Sequence, residues 1–304
     1  MASSDRLQEA NASPPTRLVL GIATHRRPQI LLGTLEHLRL QSRAPDRTIV
    51  SYGAPEDIAD APERFPAIDF IQSEAGTCKQ RNAIIDAAAD CSLLVFIDDD
   101  FYLEPTYLEA TESAFADNPG VVAATGFVLA DGIHGAGLDS AEATSILAKV
   151  TPASHQSLKP LFNAYGCNMS FRMAAVVEHA VRFDERLPMY GWFEDVDFCR
   201  QLAPHGAIVR ISNACGVHLG AKTGRTSGVR LGYSQVANPI YLARKGTLTW
   251  LDGVRRIIPL LLKNLLRSNL PEPYIDRRGR LRGNLIALRE LAFGSSDPSR
   301  INEL

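Results

Sequence analysis

Between Leu93 and Pro105 the chain reads LLVFIDDDFYLEP, an apolar run driven into three consecutive aspartates. A short continuous apolar run bounded by charge has the length and composition of a buried strand. Adjacent carboxylates repel one another, and a simple turn needs only one Asp and a Gly. Helix capping does not explain them, because Pro105 suits a first helical position and puts the cap at Glu104. Clustered carboxylates are costly unless a cation joins them. Mg²⁺ and Mn²⁺ take hard oxygen ligands and share one or two carboxylates with a substrate's phosphates. Asp98 and Asp100 form an Asp-x-Asp pair of that kind at a strand end.

Outward from this strand the pattern alternates. RLVLGIATH (17–25), TIVSYG (48–53), FIQSE (70–74) and GVVAATGFVLAD (120–131) read as further strands. Helical spacing follows Pro28 in ILLGTLEHLRLQS, and KQRNAIIDAAAD (79–90) and PTYLEATESAFADN, opened by Pro105, read as helices. This βα alternation over the first ~130 residues predicts a doubly wound, nucleotide-binding type of parallel sheet, in which ligands bind beyond the carboxyl ends of the strands. No G-x-G-x-x-G and no G-x-x-x-x-G-K-[ST] occurs, so neither dinucleotide nor P-loop chemistry is indicated. Further on, weak periodicity over 131–160 allows one helix (141–149), and GCNMSFR (166–172) reads as a strand entering the helix MAAVVEHA.

The chain has 304 residues, 45% hydrophobic and 22% charged, with a net charge of −2. That is an ordinary globular composition, and it argues against wholesale nucleic-acid binding. Five scattered cysteines without a C-x-x-C pair read as reduced thiols, in a cytoplasmic setting. Residues 1–15 read as a disordered polar leader without a signal peptide. Residues 16–250 then form one domain, and 251–304 a helical, arginine-rich appendage.

A second acidic constellation lies in MYGWFEDVDF (189–198). If the segment after Phe193 is helical, Glu194 and Asp197 share a face while Asp195 points elsewhere. An acidic first turn favoured by the helix dipole is the plain structural reading. The functional one is a general base beside an aromatic platform, since sugars pack C–H faces on Trp192 and their hydroxyls need a proton acceptor. His218 follows the apolar stretch AIVRISNAC, and a lone His is more often structural than a ligand. Its place after a strand, in a chain suspected of holding a divalent ion, makes it a metal candidate. Lys222, Arg225 and Arg230 lie among glycines beyond it, as a solvated loop or as cations that close over a diphosphate.

Taken together, "ATHRRP", "KQRNAIIDAAA", "LLVFIDDD", "GCNMSFR", "FDERL", "GWFEDVDF" and a later strand ending in His218 resemble, in order and spacing, a family 2 glycosyltransferase. The resemblance covers about Leu18 to Lys245. It implies a GT-A fold, an α/β, mostly parallel sheet flanked by helices, and inverting transfer of a sugar from a nucleotide diphosphate donor, a UDP-sugar, to a glycan hydroxyl. It implies Asp100 and His218 as ligands of Mn²⁺ or Mg²⁺, with Asp98 and Asp99 at the donor. Arg81 and Asn82 match the "RN" of the donor pocket, and Thr24 lies where the first loop touches the nucleotide. Asp195 is implied as the base, with Glu194 and Trp192 toward the acceptor. The chain departs from the pattern after the second strand, where "SYGAPED" has Gly53-Ala54 in place of a base-contacting Asp. Glu56 or Asp57 then stands in.

Rival classes fit less well. A nucleotidyltransferase wants a glycine-rich phosphate loop, whereas "GIATHRRPQ" has one glycine. A phosphatase with D-x-D-x-[TV] would need Thr or Val at Tyr102. A non-catalytic nucleotide-sugar-binding module would not need the Glu194–Asp195 pair. In the tail, GVRRIIPLLLKNLLRSNL (253–270) and RRGRLR (277–282) combine cations with apolar residues. Such a segment packs on the domain, or serves as a peripheral membrane foot toward a lipid-linked oligosaccharide. Pro259 is expected to interrupt its helix. "NPIYLARKG" (238–246) resembles the tail of enzymes of bacterial polysaccharide or exopolysaccharide assembly.

Overall fold

A computed structural model describes residues 17–151, 156–223, 226–270 and 272–304. The expected leader lies outside them. Period-two alternation with both faces buried sets the layers. In β1 (Leu18–Thr24) and β4 (Leu93–Asp98), Leu20, Ile22, Val95 and Ile97 join one core, while Val19, Leu94 and Phe96 join the other. On the first face lie α1 (Pro28–Leu38), the short α2 (Ala61–Arg64) and α4 (Tyr107–Asp117). On the second lie α3 (Thr77–Ala87), α6 (Met173–Glu178) and α7 (Glu194–Leu202), around a stack of Phe183 on Phe198 with centroids 4.2 Å apart.

β2 (Arg47–Tyr52) and β3 (Asp69–Gln72) extend the sheet from β1, and these four strands are parallel, in the order β3-β2-β1-β4. Beyond β4 the sheet becomes mixed. β8 (Asn168–Arg172) runs antiparallel between β4 and β6 (Val121–Asp131), filling the Phe96 side with Met169 and Phe171. β9 (Ala207–His218) lies parallel to β6, with β5 (Phe101–Leu103) and β7 (Leu158–Pro160) antiparallel to β9. The expected helix over 141–149 is α5 (Ser140–Leu147), opened by an Asp139–Glu142 capping box.

Two local expectations change. Pro105 does not open α4, because the Glu104 carboxylate accepts from Thr106 N (2.9 Å) and Thr106 Oγ1 (2.7 Å) and the helix starts at Tyr107. Nor does Pro259 interrupt its helix, since α9 runs unbroken from Trp250 to Arg267. Pro259 lies on an exposed side, where the carbonyl it leaves without a helical partner meets water. α8 (Gly228–Lys245) and α10 (Arg277–Ala292) pack with α9 around Tyr233, Val236, Ile240, Ile257 and Ala287. A buried amide cluster joins the three, with Asn264 Nδ2 donating to Gln235 Oε1 and Asn284 Oδ1, both at 2.9 Å.

Candidate active site

Strand alternation separates the three aspartates. Asp98 follows Leu94 and Phe96 onto the α3 side, where Arg81 lies 3.1 Å away. Asp99 turns inward, accepting from Thr24 Oγ1 (2.7 Å) and lying 2.7 Å from Arg27, without exposure. Asp100 accepts from Ala221 N (2.8 Å) and lies 3.3 Å from both Arg27 and His218. The positive species at the strand tip are thus, first, the protein's own cations. Burial pushes Asp99 up to about 7 against the pull of Arg27. For Asp100 burial acts the same way, but His218, Arg27 and the Ala221 N–H outweigh it and hold it near 2.

His218 ends β9, paired in register with both Phe101 and Asp131. Its Nδ1 meets Asp131 Oδ1 at 2.9 Å, and Tyr165 Oη donates to Asp131 Oδ2 at 2.8 Å, so the ring is fixed from behind. Burial opposes its protonated form, yet Asp100 and Asp131 prevail and raise it to about 10. Its Nε2 lies 3.3 Å from Asp100 Oδ1, a buried oxygen that accepts no other close hydrogen bond among the described residues. Asp98, Asp100 and His218 offer ligand atoms all within 4.8 Å of one another. The two carboxylate oxygens are of the type that Mn²⁺ and Mg²⁺ take. Just beyond, Gly220 adopts φ 64°, and a Cβ there would stand 2.3 Å from the Gly132 carbonyl carbon. Glycine alone lets the chain double back so that the Ala221 N–H reaches Asp100.

The second carboxylate group comes from the start of α7, across Arg81 from Asp98. The loop before α7 holds three left-handed residues, Met189 (φ 58°), Gly191 (φ 64°) and Phe193 (φ 74°). This strained turn delivers Glu194 and Asp195 as the first residues of α7. Asp195 accepts from Val196 N (2.7 Å) and Gly166 N (3.1 Å), and burial raises its pKa. Burial, then the Asp195 charge, push Glu194 up to about 8 although Arg81 pulls it down. One guanidinium links both carboxylate groups. Arg81, 3% exposed, donates to Glu194 Oε1 through Nη1 and to Asp98 Oδ1 and the Gly166 carbonyl through Nη2.

Other sequence candidates lie elsewhere. Asn82 is occupied with the Phe183 backbone and Glu185. Asp197 is buried against Lys245 (2.7 Å) and Thr247. Asp57 is spent on the N–H groups of Arg26, Gly53 and Ala54, while Glu56 is exposed. Lys222 donates to the Gly132 and Ile133 carbonyls, Arg230 lies in the first turn of α8, and Arg225 falls outside the described residues. Trp192 lies tilted against the Phe193 ring (centroids 5.2 Å), and its indole N–H is buried without a partner among the described residues. Sequence reasoning missed Arg27, Asp131 and Tyr165. Arg27 stood in the quoted "ATHRRP" and Asp131 at a strand end, which were the available signals.

No protein-family model and no curated protein matches the chain. Solved structures do. TarS 1-349 of S. aureus overlaps with a TM-score of 0.54 at 13% identity, over 92% of each chain. Its complex with UDP gives a TM-score of 0.52 at the same identity and coverage. A mannosyltransferase of Pyrobaculum calidifontis, PcManGT, solved with GDP-Man and Mn²⁺, gives 0.54 at 14% identity, over 96% of this chain and 79% of its own. GalNAc-T7 with UDP, GalNAc and Mn²⁺ gives 0.58 at 11%, over 95% of this chain and 56% of its own. The likeness is one of fold. The chain has the GT-A architecture of these glycosyltransferases, a mostly parallel α/β sheet flanked by helices.

Proposed function

We propose that the chain is a family 2, inverting glycosyltransferase that moves a hexose from a nucleoside diphosphate donor, a UDP-sugar, to a hydroxyl of a glycan acceptor. The observation that carries this reading is the Arg81 bridge, which joins the Asp98 strand tip to the Glu194–Asp195 helix start in one cleft. A metal trio alone fits many phosphate enzymes, and an acidic helix start alone fits a dipole effect. Their union through a buried guanidinium fits transfer between a diphosphate donor and a hydroxyl. It also disfavours a pure binding module, which has no use for buried carboxylates with raised pKa values.

Asp98, Asp100 and His218 would hold a divalent cation, which when bound offsets charge on the diphosphate leaving group. Asp195 takes the proton of the acceptor hydroxyl as that oxygen bonds to the anomeric carbon. The bond from that carbon to the phosphate oxygen breaks, its electron pair leaving with the diphosphate. One displacement from the opposite face needs no covalent intermediate and inverts the centre. Glu194, fixed by Arg81, positions the acceptor, and the Trp192 indole presents an apolar face and an N–H beside it. TarS solved with UDP-GlcNAc and PcManGT with GDP-Man support a nucleotide-sugar donor. The five free, buried cysteines support a reducing, cytoplasmic setting, and bacterial polysaccharide or exopolysaccharide assembly is the proposed context.

The test is a panel of UDP- and GDP-sugars assayed for nucleoside diphosphate release with Mn²⁺ or Mg²⁺ and sugar acceptors. Release from a UDP-sugar that disappears in Asp195→Asn is expected. No release from any donor, or release unchanged in that variant, would contradict the proposal.

A further inference from the structure

α9 carries more apolar surface than its neighbours cover. Gly253, Ile257 and Asn264 face the helical core, whereas Trp250, Val254, Ile258, Leu262, Leu265 and Leu266 lie 42% to 75% exposed. At 100° per residue these six span about 160° of one side of the helix, with Trp250 next to the buried line and Leu266 opposite it. Leucines exposed singly are ordinary on a protein surface, but a stripe five turns long is not. Exposed Arg255 lies among these residues, and exposed Lys263 and Arg267 line one edge of the stripe. On the neighbouring α10, Arg278, Arg282 and Arg289 line a groove of about 460 Å³ together with Leu281 and Leu285. Residues 250–293 hold nine Lys or Arg against four Asp or Glu, in a chain whose net charge is −2.

We propose that α9 seats the protein on an anionic lipid bilayer, its stripe entering the headgroup–acyl boundary while the flanking cations meet lipid phosphates. Trp250 at one end and cations beside the leucines suit an interfacial helix lying in the plane of the surface. No helix among the described residues is long and apolar enough to cross a membrane, so α9 rests on the bilayer. A second copy is the poorer occupant, because a twofold contact along the stripe would bring the same basic edges against each other. Across the helix from the stripe, the Arg256 guanidinium lies over the rings of Phe162 (4.9 Å) and Phe193 (5.5 Å), next to the start of α7. Seated this way, α9 holds the Asp195 side of the cleft about one helix diameter, ~10 Å, from the surface. This docking goes beyond the proposed transfer reaction and stands without it.

Co-sedimentation of the full chain with phosphatidylcholine vesicles, with and without phosphatidylglycerol, tests the idea. The protein is expected to pellet with the anionic vesicles, to leave them as salt is raised, and to shift Trp250 emission to the blue. Leu262→Glu/Leu266→Glu should lower vesicle partition at least ~10-fold with an unchanged melting temperature, and Arg255→Gln/Lys263→Gln should weaken only the salt-sensitive part. Wild-type protein left in the supernatant, or bound equally to neutral vesicles, would overturn it. So would a dimer in light scattering that the double Leu→Glu variant dissociates.

Discussion

Arg81 is the residue on which most of the site depends. Its guanidinium is buried with Glu194 and Asp98, and removing one partner of a buried ion pair strands the other charge. Arg81→Ala is therefore expected to cost about 3–5 kcal/mol in denaturant unfolding. Asp195→Asn should instead leave stability and donor binding in place and lower turnover by roughly 10²- to 10⁴-fold, the worth of a positioned base. Glu194 gives a pH signature. Burial and the Asp195 charge carry it from 4.5 to about 8, so its folded value lies above its unfolded one. Between those values the folded state keeps a proton that the unfolded state has lost, and stability falls as pH rises through the window. Glu194→Gln cannot titrate, and unfolding measured at the two ends of the window should show a flatter slope. At this scale the sequence was readable where chemistry clusters locally, as in Asp98–Asp100 and Glu194–Asp195. It placed Asp131 at a strand end but not beside His218, because only the pairing of β6 with β9 brings the two together.

Elements decide how these residues meet. β4 was legible, since five apolar residues in a row stopped by charge are too few for a buried helix and suit a buried strand, and its period of two sends Asp98 and Asp99 to opposite faces. The entry into α7 was not. Left-handed Met189 and Phe193 carry no sequence mark, for only glycine advertises such a backbone, and here Gly191 alone did. The mixed half of the sheet was equally hidden, because antiparallel β8 has no local signal for its place between β4 and β6. The Gly220 turn offers the test at this scale. Gly220→Ala would force a Cβ against the Gly132 backbone in a left-handed position, withdrawing the Ala221 N–H from Asp100. A loss of at least about 1–2 kcal/mol is expected from the backbone alone, and Mn²⁺ affinity by titration calorimetry should fall with it. Unchanged affinity would detach this turn from the site.

Across the whole molecule, the sheet supplies the strand tip, α3 supplies Arg81, and α7 supplies the acidic pair on the other side of that guanidinium. The helical character from 251 onward was legible, but neither α8, whose start read as a glycine-containing loop, nor its packing through Asn264, Gln235 and Asn284 was, since buried amides leave no periodic trace. The central claim is that the Asp98–Asp100–His218 end of the sheet binds a diphosphate together with a divalent ion. A ligand that binds only the folded state raises stability by about 2.7 kcal/mol at a hundred times its dissociation constant. Thermal unfolding with UDP, with Mn²⁺, with both and with neither reads this directly. The melting temperature should rise beyond the separate effects only when UDP and Mn²⁺ are present together, and that excess should vanish in Asp100→Asn. An equal rise with UDP alone, or an excess that survives Asp100→Asn, would contradict the claim.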